Sequence, residues 1–401
     1  MQFTDALLSN HMRPLTGSAI REIFHLLGKP GMISFAGGNP ANSALEPAVI
    51  AELAGEALTA HGSRLLQYGA TEGFPPLRES IAEMVKGAGI STDPARVLPT
   101  QGSQQALDLL VKATCDSGDT VLVESPTFLG ALQTFKTYGV KLVALERDER
   151  GVIPEAAEAA IVRHRPKLMY IIPTFQNPTG DTLPLERRQA LAALAAKHAV
   201  LLAEDDPYRD VRFAGEPLKA LKSFDEAGFV VYLGSFSKVI APGLRVGYAV
   251  VDHPALLRKM TIGKQSVDVH SPLLNQAIVD AYLRGGRMGP HLASITASYR
   301  AQLEKMLEGF AHFPAGTRHT TPEGGLFVWA ELPDGIDATA LLTEAAARGV
   351  AYVPGTHFYV DGGHDNTLRL NFSGSEPPQI ERGMELLGTL IRDKAEGGMM
   401  K

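Results

Sequence analysis

Residues 168–208 read LMYIIPTFQNPTGDTLPLERRQALAALAAKHAVLLAEDDPY. An apolar run, Leu168–Ile172, stops at Pro173. A helical pattern follows over Leu185–His198, and a second apolar run, Val200–Glu204, stops at Asp205-Asp206-Pro207-Tyr208. Neither run alternates apolar with polar residues, as expected for strands buried on both faces of a sheet. Two such strands joined through a helix form a crossover unit, and crossovers make parallel neighbours.

The same pattern continues in both directions. Strands are expected at Thr120–Glu124, Lys141–Leu145, Val230–Gly234 and Val246–Val251, with helices at Gln104–Thr114, Gly130–Tyr138 and Pro154–His164. This predicts an α/β fold with a mostly parallel sheet sandwiched by helices. Beyond about residue 290 the order changes. A long helix, Pro290–Ala311, leads into Leu326–Glu331, then a helix near Ala338–Arg348. Short strands follow at Ala351–Val353 and Thr367–Phe372, and a last helix at about Pro377–Lys394. That reads as a smaller α+β domain. Three parts are therefore expected: residues 1–50 packing on the C-terminal part or on a partner subunit, a large domain over 51–290, and a small one over 291–401.

The chain has 401 residues, 45% hydrophobic and 20% charged, which is ordinary for a globular protein. Thirty-eight basic against 44 acidic residues give a net charge of −6, which argues against a nucleic-acid partner. The single Cys115 excludes an internal disulfide and a multi-cysteine zinc site. The 12 histidines form no H-E-x-x-H pattern, so no metal is expected, and no G-x-x-x-x-G-K-[ST] occurs. The N-terminus lacks an apolar stretch of signal-peptide length, and the most apolar long stretch, Ala190–Ala203, is broken by Lys197 and His198. The expectation is a cytoplasmic enzyme that contacts no membrane.

In open parallel sheets, ligands bind beyond the carboxyl ends of the strands. The segments at those ends are Pro173–Gly180 (PTFQNPTG), Asp205–Tyr208 (DDPY) and Ser235–Lys238 (SFSK), with Thr100–Gln105 (TQGSQQ) before the first helix. Together they supply a lysine, a carboxylate, an amide, a tyrosine and several hydroxyls. In a strand ending Glu204-Asp205-Asp206, alternation puts Asp205 on one face and its two neighbours on the other. Gly102-Ser103-Gln104 sits at a helix start, where free backbone N–H groups favour an anion. Ser103 also reads as an ordinary N-cap, a role compatible with anion binding.

The set NPTG, D-x-x-Y, S-x-S-K and R-x-G, in this order, resembles a fold-type I pyridoxal-phosphate (PLP) aminotransferase of class I/II. The likeness spans nearly the whole chain. YGATEGFPPLR from Tyr68, GSQQALDLL from Gly102, FQNPTG from Phe175, EDDPY from Glu204, GSFSKVIAPGLRVGY from Gly234 and NTLRLNF from Asn366 are most similar to the 2-aminoadipate/kynurenine branch. The resemblance implies pyridoxal 5'-phosphate as cofactor, a seven-stranded-type sheet, and Lys238 as the Schiff-base lysine. It implies Asp205 against the pyridine nitrogen, and Asn177 and Tyr208 on the phenolic oxygen. It assigns Gly102, Ser103, Gln104, Ser235, Ser237 and Arg245 to the phosphate, and Phe128 to stacking on the ring, where a plain core phenylalanine is the alternative. Arg369, with the Gly38 loop and Asn177, would hold the substrate α-carboxylate.

Tyr68 resembles a tyrosine that crosses to the neighbouring subunit's phosphate, which implies a homodimer with shared sites. Arg21 reads equally as the residue that binds a distal substrate carboxylate and as a helix-surface arginine paired with Glu22. The reaction implied is transfer of an amino group from an L-amino acid to a 2-oxo acid such as 2-oxoglutarate, in two half-reactions. A β-lyase or decarboxylase on the same fold is the alternative. Two further rivals have less support. A transcription regulator would carry an added DNA-binding module, and a cofactor-free binding protein would have no use for the retained lysine and its partners.

Overall fold

The computed structural model describes residues 7–9, 11–13, 15 and 31–398. Its centre is a seven-stranded sheet in the order Val97–Thr100, Gly247–Val250, Val230–Ser235, Leu201–Asp205, Leu168–Ile171, Thr120–Glu124, Lys141–Leu145. The last five pair in parallel, whereas Gly247–Val250 runs antiparallel to both of its neighbours. A parallel pair needs a long crossover. Here only a loop with one short 3-10 turn, Pro242–Leu244, joins Val230–Ser235 to Gly247–Val250, so the chain returns antiparallel.

Both faces are buried, which explains the unbroken apolar runs. Successive side chains of each strand enter different cores. Val121, Val123, Tyr170, Ala203 and Leu233 pack with Leu107, Leu110 and Phe135 from the helices Ser103–Thr114 and Leu129–Thr137. Leu122, Met169, Ile171 and Leu202 pack with Ile161 and Leu191 from Pro154–His164 and Leu185–His198 on the other side. At roughly 1.5–3 kcal/mol per fully buried aliphatic or aromatic side chain, these two layers hold the sheet between its helices.

Six of the expected runs shift by one residue at one or both ends, and one splits. The segment expected as a single strand near Ala351–Val353 is two, Val350–Ala351 and Val353–Pro354. The first pairs in parallel with Ile33–Ser34, which ties the N-terminal segment to the C-terminal part. The second joins an antiparallel sheet ordered Arg318–His319, Phe327–Glu331, Thr367–Asn371, Val353–Pro354. The helices Met288–Gly309 and Pro377–Gly398 pack against each other beside it. Among the described residues, no helix is long and apolar enough to cross a membrane, and no three His, Cys, Asp or Glu residues cluster as metal ligands.

Candidate active site

Strand order reverses between Thr120–Glu124 and Leu168–Ile171, and the carboxyl ends there diverge to leave a crevice. A cavity of about 400 Å³ opens at those ends. Thirteen residues singled out in the sequence line it: Gly38, Gly102, Ser103, Gln104, Phe128 and Asn177; Asp205, Tyr208, Ser235 and Ser237; and Lys238, Arg245 and Arg369. Tyr68 does not line it within the protomer and is 81% exposed. Arg21 lies outside the described residues.

Lys238 follows the strand Val230–Ser235, and its Nζ donates to the Gly38 carbonyl at 2.7 Å. Burial, and then the positive charges of Arg369 and Arg245, pull its pKa down to about 8. Lys238 lines the cavity rather than standing exposed at the surface.

Asp205 closes the strand Leu201–Asp205 and is pushed up to about 6 by burial, opposed by the nearby hydroxyls of Tyr170 and Ser103. Its Oδ2 accepts from the Tyr170 hydroxyl at 2.6 Å, and its buried Oδ1 has no partner among the described residues. The alternation argument holds. Glu204 turns away to accept from the backbone N–H groups of Leu221 and Lys222, and Asp206 accepts from Arg209 and the Tyr232 hydroxyl.

Asn177 stands between two partners. Its Nδ2 donates to the Tyr208 hydroxyl at 3.4 Å, and its Oδ1 accepts from Arg369 Nη1 at 2.9 Å. Burial raises the Tyr208 pKa well above its ordinary value, with the Arg369 charge opposing. Arg369 is buried, not solvent-facing. Thr367–Asn371 is flanked by strands on both sides, and the guanidinium is buried over the rings of Phe327 and Phe358 at 4.3 and 5.1 Å. Its Nη2 donates to the Ala36 carbonyl at 2.7 Å, and its buried Nε has no partner among the described residues.

The opposite end of the cavity is a cradle. Gly102 caps the helix Ser103–Thr114 at φ 81°, a left-handed conformation that favours glycine. A Cβ there would meet Arg245 Nη2 at 2.6 Å. Ser235 Oγ donates to Ser237 Oγ at 2.9 Å and accepts from the Ser237 N–H, and Arg245 Nη1 points to Ser237 Oγ at 3.5 Å. Gln104 lines the cavity, yet its amide is taken up by the Gly130 carbonyl and the Thr134 hydroxyl. Helix-start N–H groups, two hydroxyls and a guanidinium suit a phosphate.

Tyr170 is the residue that sequence reading missed. It registers with Ala203, two residues before Asp205, so both side chains emerge on one face. Strand register would have found it; the sequence shows only an aromatic in an apolar run.

An unpartnered carboxylate oxygen, a lysine with lowered pKa, an anion cradle and a buried, half-satisfied arginine around one cavity fit the pyridine nitrogen, aldehyde and phosphate of pyridoxal 5'-phosphate and the carboxylate of an amino acid. The comparisons agree. The model of the family "Aminotransferase class I and II" matches residues 30–387, and the chain belongs to that family. It is a fold-type I aminotransferase that uses pyridoxal 5'-phosphate. Over 387 residues it is 40% identical to aromatic-amino-acid aminotransferase 1 of Thermococcus litoralis, spanning 95% of this chain and 93% of the relative. Over 382 residues it is 41% identical to 2-aminoadipate transaminase of Thermus thermophilus, spanning 94% of each. The crystal structure of Pyrococcus horikoshii kynurenine aminotransferase matches with a TM-score of 0.93 at 38% identity, covering 97% of this chain and 98% of that one.

Proposed function

We propose that this aminotransferase moves the amino group of an L-amino acid to 2-oxoglutarate in two half-reactions, within a homodimer whose sites are shared through Tyr68. The carrying observation is the placement of Lys238 Nζ between two cationic anion-holding ends of one cavity, Arg245 and Arg369. When bound, pyridoxal 5'-phosphate supplies the electron sink for the negative charge left on the substrate α-carbon.

The chain's own residues do the rest. Lys238, with its pKa near 8, keeps a useful share of neutral amine at neutral pH. Its Nζ would hold the cofactor aldehyde and, when free, would move the substrate α-proton as general base and then acid. Asp205 Oδ1 holds the proton on the ring nitrogen, the job its missing partner leaves open. Tyr208 and Asn177 donate to the phenolic oxygen. Gly102, Ser103, Gln104, Ser235, Ser237 and Arg245 fix the phosphate, with Phe128 against the ring. Arg369 and the Gly38 loop grip the α-carboxylate, which orients the α-proton toward Nζ. In this reading residues 51–290 carry the cofactor and 291–401 carry Arg369 over the substrate, with residues 1–50 bridging to the small part or the partner.

By similarity to the named relatives, the donors to try are aromatic amino acids, kynurenine and 2-aminoadipate. Initial rates of glutamate formation from each donor with 2-oxoglutarate test the reading. Parallel double-reciprocal lines are expected, as two half-reactions require. Converging lines, or release of ammonia or carbon dioxide without glutamate, would contradict it.

A further inference from the structure

The helix Pro254–Asp268 ends in a buried ion pair that does not line the cavity. The Lys264 side chain is fully buried. Its Nζ donates to Asp268 Oδ1 and Oδ2 at 2.9 and 2.7 Å, to Gln105 Oε1 at 3.1 Å and to Ser271 Oγ at 2.9 Å. Asp268 Oδ2 also accepts from Gln101 Nε2 at 2.7 Å and from Gln105 Nε2 at 2.8 Å. Gln105 Oε1 in turn accepts the backbone N–H of Gln101 at 2.8 Å. Gln101 is thus held by its side chain and by its peptide. Its carbonyl accepts from Arg245 Nη2 at 2.9 Å, the shortest hydrogen bond the guanidinium makes.

The far end of the pair is strained. Val269, the next residue, has φ 61° and ψ −56°, and the His270 N–H donates to the Asp268 carbonyl at 2.6 Å. This is a γ-turn on a β-branched residue, a conformation that persists only where its surroundings enforce it. His270 then meets the exposed Tyr68 ring edge-on at 6.0 Å.

A buried ion pair contributes little net stability, because desolvating both charges offsets most of their attraction. Its value lies in what it positions. We propose that Lys264 and Asp268 are positioning residues for the phosphate cradle: they fix the Gln101 peptide, which aims Arg245 and holds the Gly102 turn open. This rests on the cofactor reading above. The cradle is shaped from behind by a network that touches neither cofactor nor substrate.

The test uses two aldehydes that differ only in the phosphate. Apoprotein is titrated with pyridoxal 5'-phosphate and with pyridoxal, and affinities are read from the absorbance of the Lys238-bound aldehyde. Wild type is compared with Asp268→Asn and with Gln101→Leu, which keeps the ion pair and so guards against a misfolded variant. The expected result is a loss of about tenfold or more in phosphate-aldehyde affinity in both variants, with pyridoxal affinity unchanged within about twofold. Equal losses for both aldehydes, or no loss for either, would overturn the positioning role alone. Wild-type protein that takes up neither aldehyde would overturn the cofactor reading and this one with it.

Discussion

Arg369 Nη1 donates to Asn177 Oδ1 at 2.9 Å, and this bond joins the four-stranded sheet to the loop beyond the seven-stranded one. It also sets the amide's orientation: with its oxygen turned to Arg369, Asn177 presents Nδ2 to the Tyr208 hydroxyl. The Arg369 guanidinium and the Tyr208 hydroxyl are therefore aligned by a single side chain.

Arg369→Ala removes the charged donor and one of the charges that lowers the Lys238 pKa, but leaves the phosphate cradle and the Lys238 side chain in place. KM for amino donors should rise and kcat/KM should fall roughly 10- to 100-fold, the equivalent of one or two charge-assisted hydrogen bonds. Cofactor affinity should stay near wild type. Steady-state kinetics beside a cofactor titration check both, and loss of cofactor uptake would show that Arg369 is misassigned.

Asp205→Asn keeps the shape and removes the charge at the unpartnered Oδ1. The expected outcome is a fall in kcat of about 10²-fold or more, as for other lost electrostatic stabilisers, with donor KM little changed. Single-turnover rates with the cofactor loaded give the answer. A variant with full kcat would remove Asp205 from the chemistry.

Lys238 makes the apoprotein's stability depend on pH. Its folded pKa, about 8, lies below the ordinary 10.5, so the unfolded chain holds the extra proton between these values. Stability should rise with pH across that window, and the full penalty, about 1–3 kcal/mol, should stand below pH 8. The melting temperature of Lys238→Met relative to wild type should be most favourable at pH 7 and lose that advantage toward pH 10.5. Melting curves of the two apoproteins at several pH values test the sign. A constant difference would mean that the amine is not desolvated.

Gly102→Ala places a Cβ 2.6 Å from Arg245 Nη2 at a φ of 81°. The guanidinium must move, so cofactor affinity should drop by about tenfold or more, and stability by about 1–3 kcal/mol. Titration of the apoprotein with pyridoxal 5'-phosphate measures the first effect and thermal melting the second.

Tyr68 is exposed in the protomer, as a residue serving a partner's site must be. Mixing Lys238→Ala subunits with Tyr68→Ala subunits should regenerate intact sites in the hybrids. Random exchange in a two-fold dimer recovers roughly a quarter of wild-type activity. Mixtures no more active than their components would place Tyr68 in its own site or outside any.

Most of the fold was legible because the sheet is buried on both faces, so its strands announce themselves as apolar runs. The exception is Val97–Thr100. It is four residues long, contains Pro99, and lies at the sheet edge, where a missing N–H is tolerated. The antiparallel return of Gly247–Val250 was written in the lack of a helix before it, a weaker signal than a periodicity. The site residues were legible as short polar segments at strand ends. What joins them was not. The Asn177–Arg369 bond spans 192 positions, and Lys264 with Asp268 reads in sequence as an ordinary i, i+4 surface pair. Only the fold shows that the pair is buried against Gln101.

The most direct test of the central claim is the absorbance spectrum of the purified protein with pyridoxal 5'-phosphate, before and after L-glutamate, with Lys238→Ala alongside. The account predicts a visible band from the Lys238-bound cofactor, its replacement by the shorter-wavelength band of the aminated cofactor on adding glutamate, and neither the band nor its conversion in Lys238→Ala. An identical band and conversion in Lys238→Ala, or no visible band in wild type at saturating cofactor, would contradict it.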